Sequence, residues 1–231
     1  MSKVQDLEAL IGIEFKNKNL LKQALTHRSY LNEHHDCEVG HNERLEFLGD
    51  AVLEIIVTEF LYLNFSDKLE GELTNWRASL VNSKMLFQVA KELDFEKYLL
   101  LSKGESRDKN SKARQYILAN SVEAIIGAIY LDQGIEATKK FVFNNIIKNL
   151  DDIVRRKAYL DPKSRFQELS QDICGITPSY KLIKEEGPDH AKKFTIGLFL
   201  EEELVSVGEG ASKQEAQINA AEKGIKIKKW A

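Results

Sequence analysis

At 231 residues the chain has room for one large domain or two small ones, and a hydrophobic content of 43% is enough to pack a core in each. A net charge of −3 excludes a uniformly basic surface, so any contact with a nucleic acid has to be local. Cys37 and Cys174 lie far apart and form no CxxC pair, which excludes a disulfide framework or a zinc ribbon.

No apolar run approaches the roughly 20 residues that span a bilayer, and the N-terminal MSKVQDLEAL lacks the apolar segment of a signal peptide. The expectation is a cytoplasmic protein without membrane contact. In chain order, residues 1 to about 155 carry helical apolar periodicity, clearest in AVLEIIVTEFLYL and ANSVEAIIGAIYL. Arg155, Arg156, Lys157 and the Asp161-Pro162 pair then interrupt the pattern, and a domain boundary is expected there, with domains at 1–157 and 158–231. Beyond it, a short helix in SRFQELSQDI is followed by alternating strand-like PSYKLIKEEG, KKFTIGLFLEEE and ELVSVGEG, and by a helical SKQEAQINAAEKGIKI. The predicted fold is an all-α domain followed by a small α+β domain ordered α-β-β-β-α.

Within the helical half, NERLEFLGDAV places Glu43, Glu46 and Asp50 within about 60° of one another on one helix face. Most such runs are solvated faces. Here, however, like charges repel along the helix and only Arg44 is near in sequence as a cation. Glu123 sharpens the question, being the one charged residue between Arg114 and Asp132 in an otherwise apolar stretch. An ionised carboxylate in such a segment is expensive unless it meets a cation or a metal. Asn120 lies three residues earlier on the same face. If the two helices pack together, Glu46, Asp50, Asn120 and Glu123 converge as hard oxygen ligands of the type that suits Mg²⁺. Other tempting constellations carry less. Thr26 to Ser29 lack an obvious acid to orient a base, and His34, His35, Cys37 and His41 fit no zinc spacing.

NERLEFLGDAV, together with ALTHRSY at 24–30, LEGELTNWRASLV at 69–81 and ILANSVEAIIGAIYLDQG at 117–134, resembles the ribonuclease III family. GPDH at 187–190 and GEGASKQEAQINAA at 208–221 are similar to a double-stranded-RNA-binding domain. The resemblance implies a homodimeric endoribonuclease, dependent on Mg²⁺ with Mn²⁺ as an alternative, acting on double-stranded RNA. It implies staggered cuts, 5′-phosphate and 3′-hydroxyl products, and a part in rRNA and mRNA processing. By position, Glu46, Asp50, Asn120 and Glu123 would be the metal set, with Asp50 and Glu123 catalytic. Glu43 would lie near the site or the dimer contact, and Glu70 would line the cleft in the vicinity of the site, near the dimer axis.

One position departs from the family pattern, which usually carries Asp where this chain has Asn120. The loss of a charge leaves an alternative reading, a duplex-RNA-binding protein of the same fold with impaired cleavage. In the C-terminal domain, eleven Lys and Arg meet twelve Asp and Glu from Ala158 to Ala231, so RNA recognition has to rest on placement and shape rather than bulk charge. The expected contacts are Gln167 and Glu168 on the first helix, His190 in the GPDH loop, and Lys213 and Gln214 opening the last helix. Gln214 and Gln217 stand where many such domains carry lysines, so they are expected to offer hydrogen bonds in place of charge.

Overall fold

The computed structural model describes residues 3–108, 111–155, 161–188 and 192–230, in two compact units, Met1–Ile153 and Val154–Ala231. The expected boundary at 157/158 falls within residues 156–160, outside the described set. The first unit is helical throughout: α1 (Lys3–Ile11), α2 (Lys18–Ala24), α3 (Arg28–Leu31), α4 (Glu43–Asn64), α5 (Glu70–Val81), α6 (Ser83–Glu92), α7 (Lys103–Arg107), α8 (Lys112–Gln133), α9 (Ile135–Asn145) and α10 (Leu150–Arg155). No described helix is long and apolar enough to cross a membrane.

The centre of this unit is α8, which packs against α4, α6, α9 and α2. Its start is set by Ser111, whose hydroxyl accepts the Arg114 N–H, and its end by Gly134 at φ 79°. From Leu118 to Ile129 every residue is buried except Asn120 and Glu123. The opening is therefore polar and placed on one helix face. The partner helix α4 begins at Asn42, which does not cap it with its side chain. Instead the Asn42 N–H donates to the Thr26 carbonyl at 2.9 Å and its side-chain amide to the Ala24 carbonyl at 3.2 Å, tying the start of α4 to the end of α2.

Two glycines set how closely α4 and α8 cross. A Cβ on Gly49 would stand 1.8 Å from the Glu123 carbonyl oxygen, and one on Gly127 would stand 2.3 Å from that of Leu45. Backbone meets backbone there, an approach that no larger residue permits. The carboxylates one turn away on each helix are brought together by this crossing.

Past the end of α10, the second unit holds α11 (Pro162–Cys174), capped by the Asp161 carboxylate on the Lys163 and Ser164 N–H groups and closed by Gly175 at φ 71°. The strands β1 (Ser179–Glu186), β2 (Lys193–Leu200) and β3 (Glu203–Gly210) form an antiparallel sheet in that order, and α12 (Lys213–Lys228) packs on β3 and β2. Phe166, Leu198, Leu200, Val205, Ala220, Ala221 and Ile225 make its core. The GEG segment is glycine-rich for a packing reason: a Cβ on Gly208 would come within 2.1 Å of the Ala216 carbonyl oxygen, so helix and sheet backbone touch. This is the α-β-β-β-α order expected from the strand alternation.

Candidate functional site

The crossing of α4 and α8 gathers the acidic side chains of NERLEFLGDAV and the polar pair of α8. Asn120 donates its Nδ2 to Glu46 Oε1 at 2.7 Å. Glu46 is half-buried, and its pKa is raised by burial and, less, by Glu43 and Asp50, with the Asn120 hydrogen bond opposing. Glu123 is the extreme case: burial first, then the charges of Asp50 and Glu46, push its carboxyl up to about 8. Among the described residues no hydrogen-bond donor or cation relieves it. Glu43, Glu46, Asp50, Asn120 and Glu123 thus form one coupled group.

Glu43 occupies the exposed end of that group. It meets a cation that sequence proximity did not identify: Arg28 of α3 places Nη1 3.7 Å from Glu43 Oε1, and His41 Nδ1 lies 3.7 Å from Oε2. A pocket of about 240 Å³ opens beside the cluster, lined by His27, Arg28, Asn42, Glu43, Glu46, Tyr116, Ile117 and Asn120. Glu70 is placed elsewhere. It accepts from Thr74 Oγ1 at 3.0 Å and lines a different pocket, of about 730 Å³, with Tyr62, Leu63, Phe65 and Arg77.

The donor set fits a hard divalent cation on chemical grounds. It offers the carboxylates of Glu46, Asp50 and Glu123, of which Glu123 is raised by the other two after burial, and an amide whose Oδ1 is unengaged among the described residues once Nδ2 is given to Glu46. Among the described residues no three His, Cys, Asp or Glu side chains form a ready-made metal cage, so a cation would have to draw Glu46, Asp50 and Glu123 closer together, with the Asn120 amide oxygen as a further donor.

In the second unit Gln167 and Glu168 are exposed on α11 and line a groove of about 490 Å³ with Ser164, Gln171 and Asp172. Lys213 and Gln214 are exposed at the start of α12. Gln217 is used differently from expectation: its Oε1 accepts from Lys163 Nζ at 2.7 Å, tying α11 to α12. Lys192 and Lys193 pair with Glu185 and Glu209 at 3.0 and 2.7 Å. His190 lies outside the described residues.

Comparison with known proteins bears directly on this arrangement. Residues 17–150 match the family described as Ribonuclease-III-like, and residues 162–228 match the double-stranded RNA binding motif. The chain belongs to the ribonuclease III family. Ribonuclease 3 of Clostridium perfringens is 44% identical over 220 residues, covering 95% of this chain and 92% of that protein. Ribonuclease 3 of Enterococcus faecalis is 43% identical over 221 residues, covering 96% and 95%. The nuclease domain of ribonuclease III from Campylobacter jejuni, in a structure described as flexible in a region involved in dimer formation, matches at TM-score 0.57 and 41% identity, over 64% of this chain and 98% of that one. As a ribonuclease III with a duplex-RNA-binding module, the chain is an endoribonuclease.

Proposed function

We propose that Glu46, Asp50, Asn120 and Glu123 hold Mg²⁺, or Mn²⁺ in its place, and that double-stranded RNA is hydrolysed beside them. The products would be 5′-phosphate and 3′-hydroxyl ends from staggered cuts, in the processing of rRNA and mRNA. The observation that carries this reading is Glu123, a carboxyl in a buried helix, pushed up to about 8 by burial and two neighbouring carboxylates, with no cation among the described residues to balance it. A bound divalent ion would neutralise phosphate charge, lower the pKa of a water and stabilise the departing 3′ oxygen. The chain's own groups do the positioning. Asn120 fixes Glu46 through Oε1 and leaves Oε2 for a ligand, while Asp50 on α4 lies close enough to Glu123 on α8 to act on its charge. Gln167, Glu168, His190, Lys213 and Gln214 would read the shape of the duplex in the second domain.

The departure at Asn120 gives the reading its test. An Asp there would set a second carboxylate about where the amide nitrogen now lies 2.7 Å from Glu46, an arrangement that demands a cation. Asn120→Asp is therefore expected to need about tenfold less Mg²⁺ for half-maximal cleavage than the parent, with the two rates converging at saturating metal. A Mg²⁺ titration of both proteins on one labelled duplex reads this. Curves that never converge would instead mean that Asn120 fails in positioning water or a proton, and would favour a duplex-binding protein with impaired cleavage.

We also propose that the chain works as a homodimer. Phe47 (82% exposed), Ile55 and Tyr62 (73% exposed) share one face of α4 alongside the carboxylate stripe, an exposed apolar surface opposite the face that Leu45, Val52, Leu53 and Ile56 bury. Glu70 lines the pocket beside Tyr62 and would then lie near the joint. Sedimentation at micromolar concentration should give a dimer that Phe47→Asp converts to monomer. A parent chain already monomeric would remove the reading.

A further inference from the structure

His27 sits immediately before α3, and its ring is held more firmly than a surface histidine requires. Its backbone N–H donates to the Leu100 carbonyl at 3.1 Å, and the preceding Thr26 carbonyl accepts the Asn42 N–H at 2.9 Å. The ring nitrogen Nδ1 accepts the Ser29 N–H at 3.3 Å and lies 2.9 Å from Ser29 Oγ. Ser29 Oγ in turn accepts the Ser102 N–H at 3.1 Å, which leaves the hydroxyl proton free to point at Nδ1.

A nitrogen that accepts a backbone N–H cannot carry a proton of its own. The neutral ring therefore bears its proton on Nε2, as the hydrogen-bond network rather than any observed hydrogen dictates. Nε2 has no partner among the described residues. His27 lines the pocket beside Glu46 and Asn120 and also an adjoining one of about 500 Å³ formed with Arg28, Ser29, Asn32, Glu105, Ala113, Tyr116 and Ile117. Burial lowers the ring's pKa and so favours its neutral form, with Glu105 and Glu43 opposing and Arg28 and Arg114 reinforcing.

We propose that His27 is a positioning residue for the RNA strand, donating from Nε2 to a phosphate oxygen of the backbone that runs from these pockets to the carboxylate cluster. The proposal rests on that cluster being the cleavage site. Arg28, which lines both pockets and is only loosely held by Glu43 at 3.7 Å, supplies the charge that attracts the phosphate. His27 supplies direction. In a site crowded with carboxylates, a fixed neutral donor orients the strand without depending on its own protonation.

Two substitutions separate this role from a purely structural one. His27→Asn keeps an oxygen able to accept the Ser29 N–H, since Asn is a good helix cap, but its amide is too short to reach the Nε2 position. His27→Gln extends an amide nitrogen towards that position and gives up the cap. With the full chain at saturating Mg²⁺, His27→Asn is expected to lose about 10- to 100-fold in kcat/KM on a short duplex, the range for a hydrogen bond to a charged group. His27→Gln should recover most of that loss. Thermal stability should run in the opposite order, with Asn above Gln. Parental kcat/KM in His27→Asn, or activity that simply follows stability across the two variants, would overturn the proposal. Glu123→Gln assayed alongside assigns the failure: if it still cleaves, the cluster is not the cleavage site and the reading beneath the proposal falls with it. If it is inactive while His27→Asn is unimpaired, only the role of His27 falls.

Discussion

Glu123→Gln is expected to lower kcat/KM on duplex RNA by about 10²–10³-fold or more while leaving duplex binding and the fold intact. The exchange preserves side-chain volume in a helix where Val122 and Ala124 on either side are fully buried, so packing is not disturbed. It removes a charged oxygen ligand from the centre of the coupled group. RNA affinity survives because the second domain and the pocket beside α3 are untouched.

The same substitution carries a pH signature in chelator-treated protein. The Glu123 carboxyl lies near 8 in the folded chain against an ordinary 4.5. Between those values the folded state holds a proton that the unfolded state has released, so stability declines as pH rises through the window. Below it both states are protonated and nothing is lost. Gln does not titrate. The melting temperature of Glu123→Gln should therefore gain on that of the parent from pH 5 to pH 9, and parallel curves would contradict the burial of an uncompensated carboxyl.

Gly49→Ala is expected to be among the most destabilising single-methyl changes in the molecule, at about 3 kcal/mol or more. The added carbon would stand 1.8 Å from the Glu123 carbonyl oxygen and 2.6 Å from its carbon, both backbone atoms of the central helix that no rotamer change can move. The helices must separate. Because the crossing places Glu46 and Asp50 against Asn120 and Glu123, separation should weaken metal-dependent cleavage even where the variant remains folded. Denaturant unfolding and cleavage measured on one preparation read both effects, and a Gly49→Ala protein with parental stability would refute the close crossing.

Periodicity carried much of the architecture. The alternation of KKFTIGLFL appears as β2, and the helical run around ANSVEAIIGAIYL as α8, because in both segments the apolar pattern agrees with local propensity. The grouping of the acids was legible because a lone Glu123 in an apolar helix is costly and so stands out in the sequence, and the structure sets it near Asp50 and Glu46. Contacts between distant segments left weaker traces. Arg28 reaches Glu43 only through the packing of α3 against the start of α4, and Lys163 finds Gln217 only once α11 lies on α12. In α4, the apolar residues Phe47 and Leu53 read alike, yet one is 82% exposed and the other fully buried. Which face meets α8 is decided by Gly49 and Gly127, and the consequence of a missing side chain becomes visible only when two backbones touch. The stretch Thr26 to Ser29 shows no acid that could orient a base, and the role of His27 emerges only from its contacts: Nδ1 caps α3, and the unengaged Nε2 has no counterpart in sequence spacing.

The most direct measurement of the central claim is anomalous diffraction from crystals of the full chain soaked in Mn²⁺. The expected result is a peak within coordinating distance of carboxylate oxygens of Glu46, Asp50 and Glu123 and near the Asn120 amide oxygen, absent from Glu123→Gln crystals treated alike. A peak held by other residues, or none at this cluster in a preparation that cleaves duplex RNA with the same metal, would contradict the assignment.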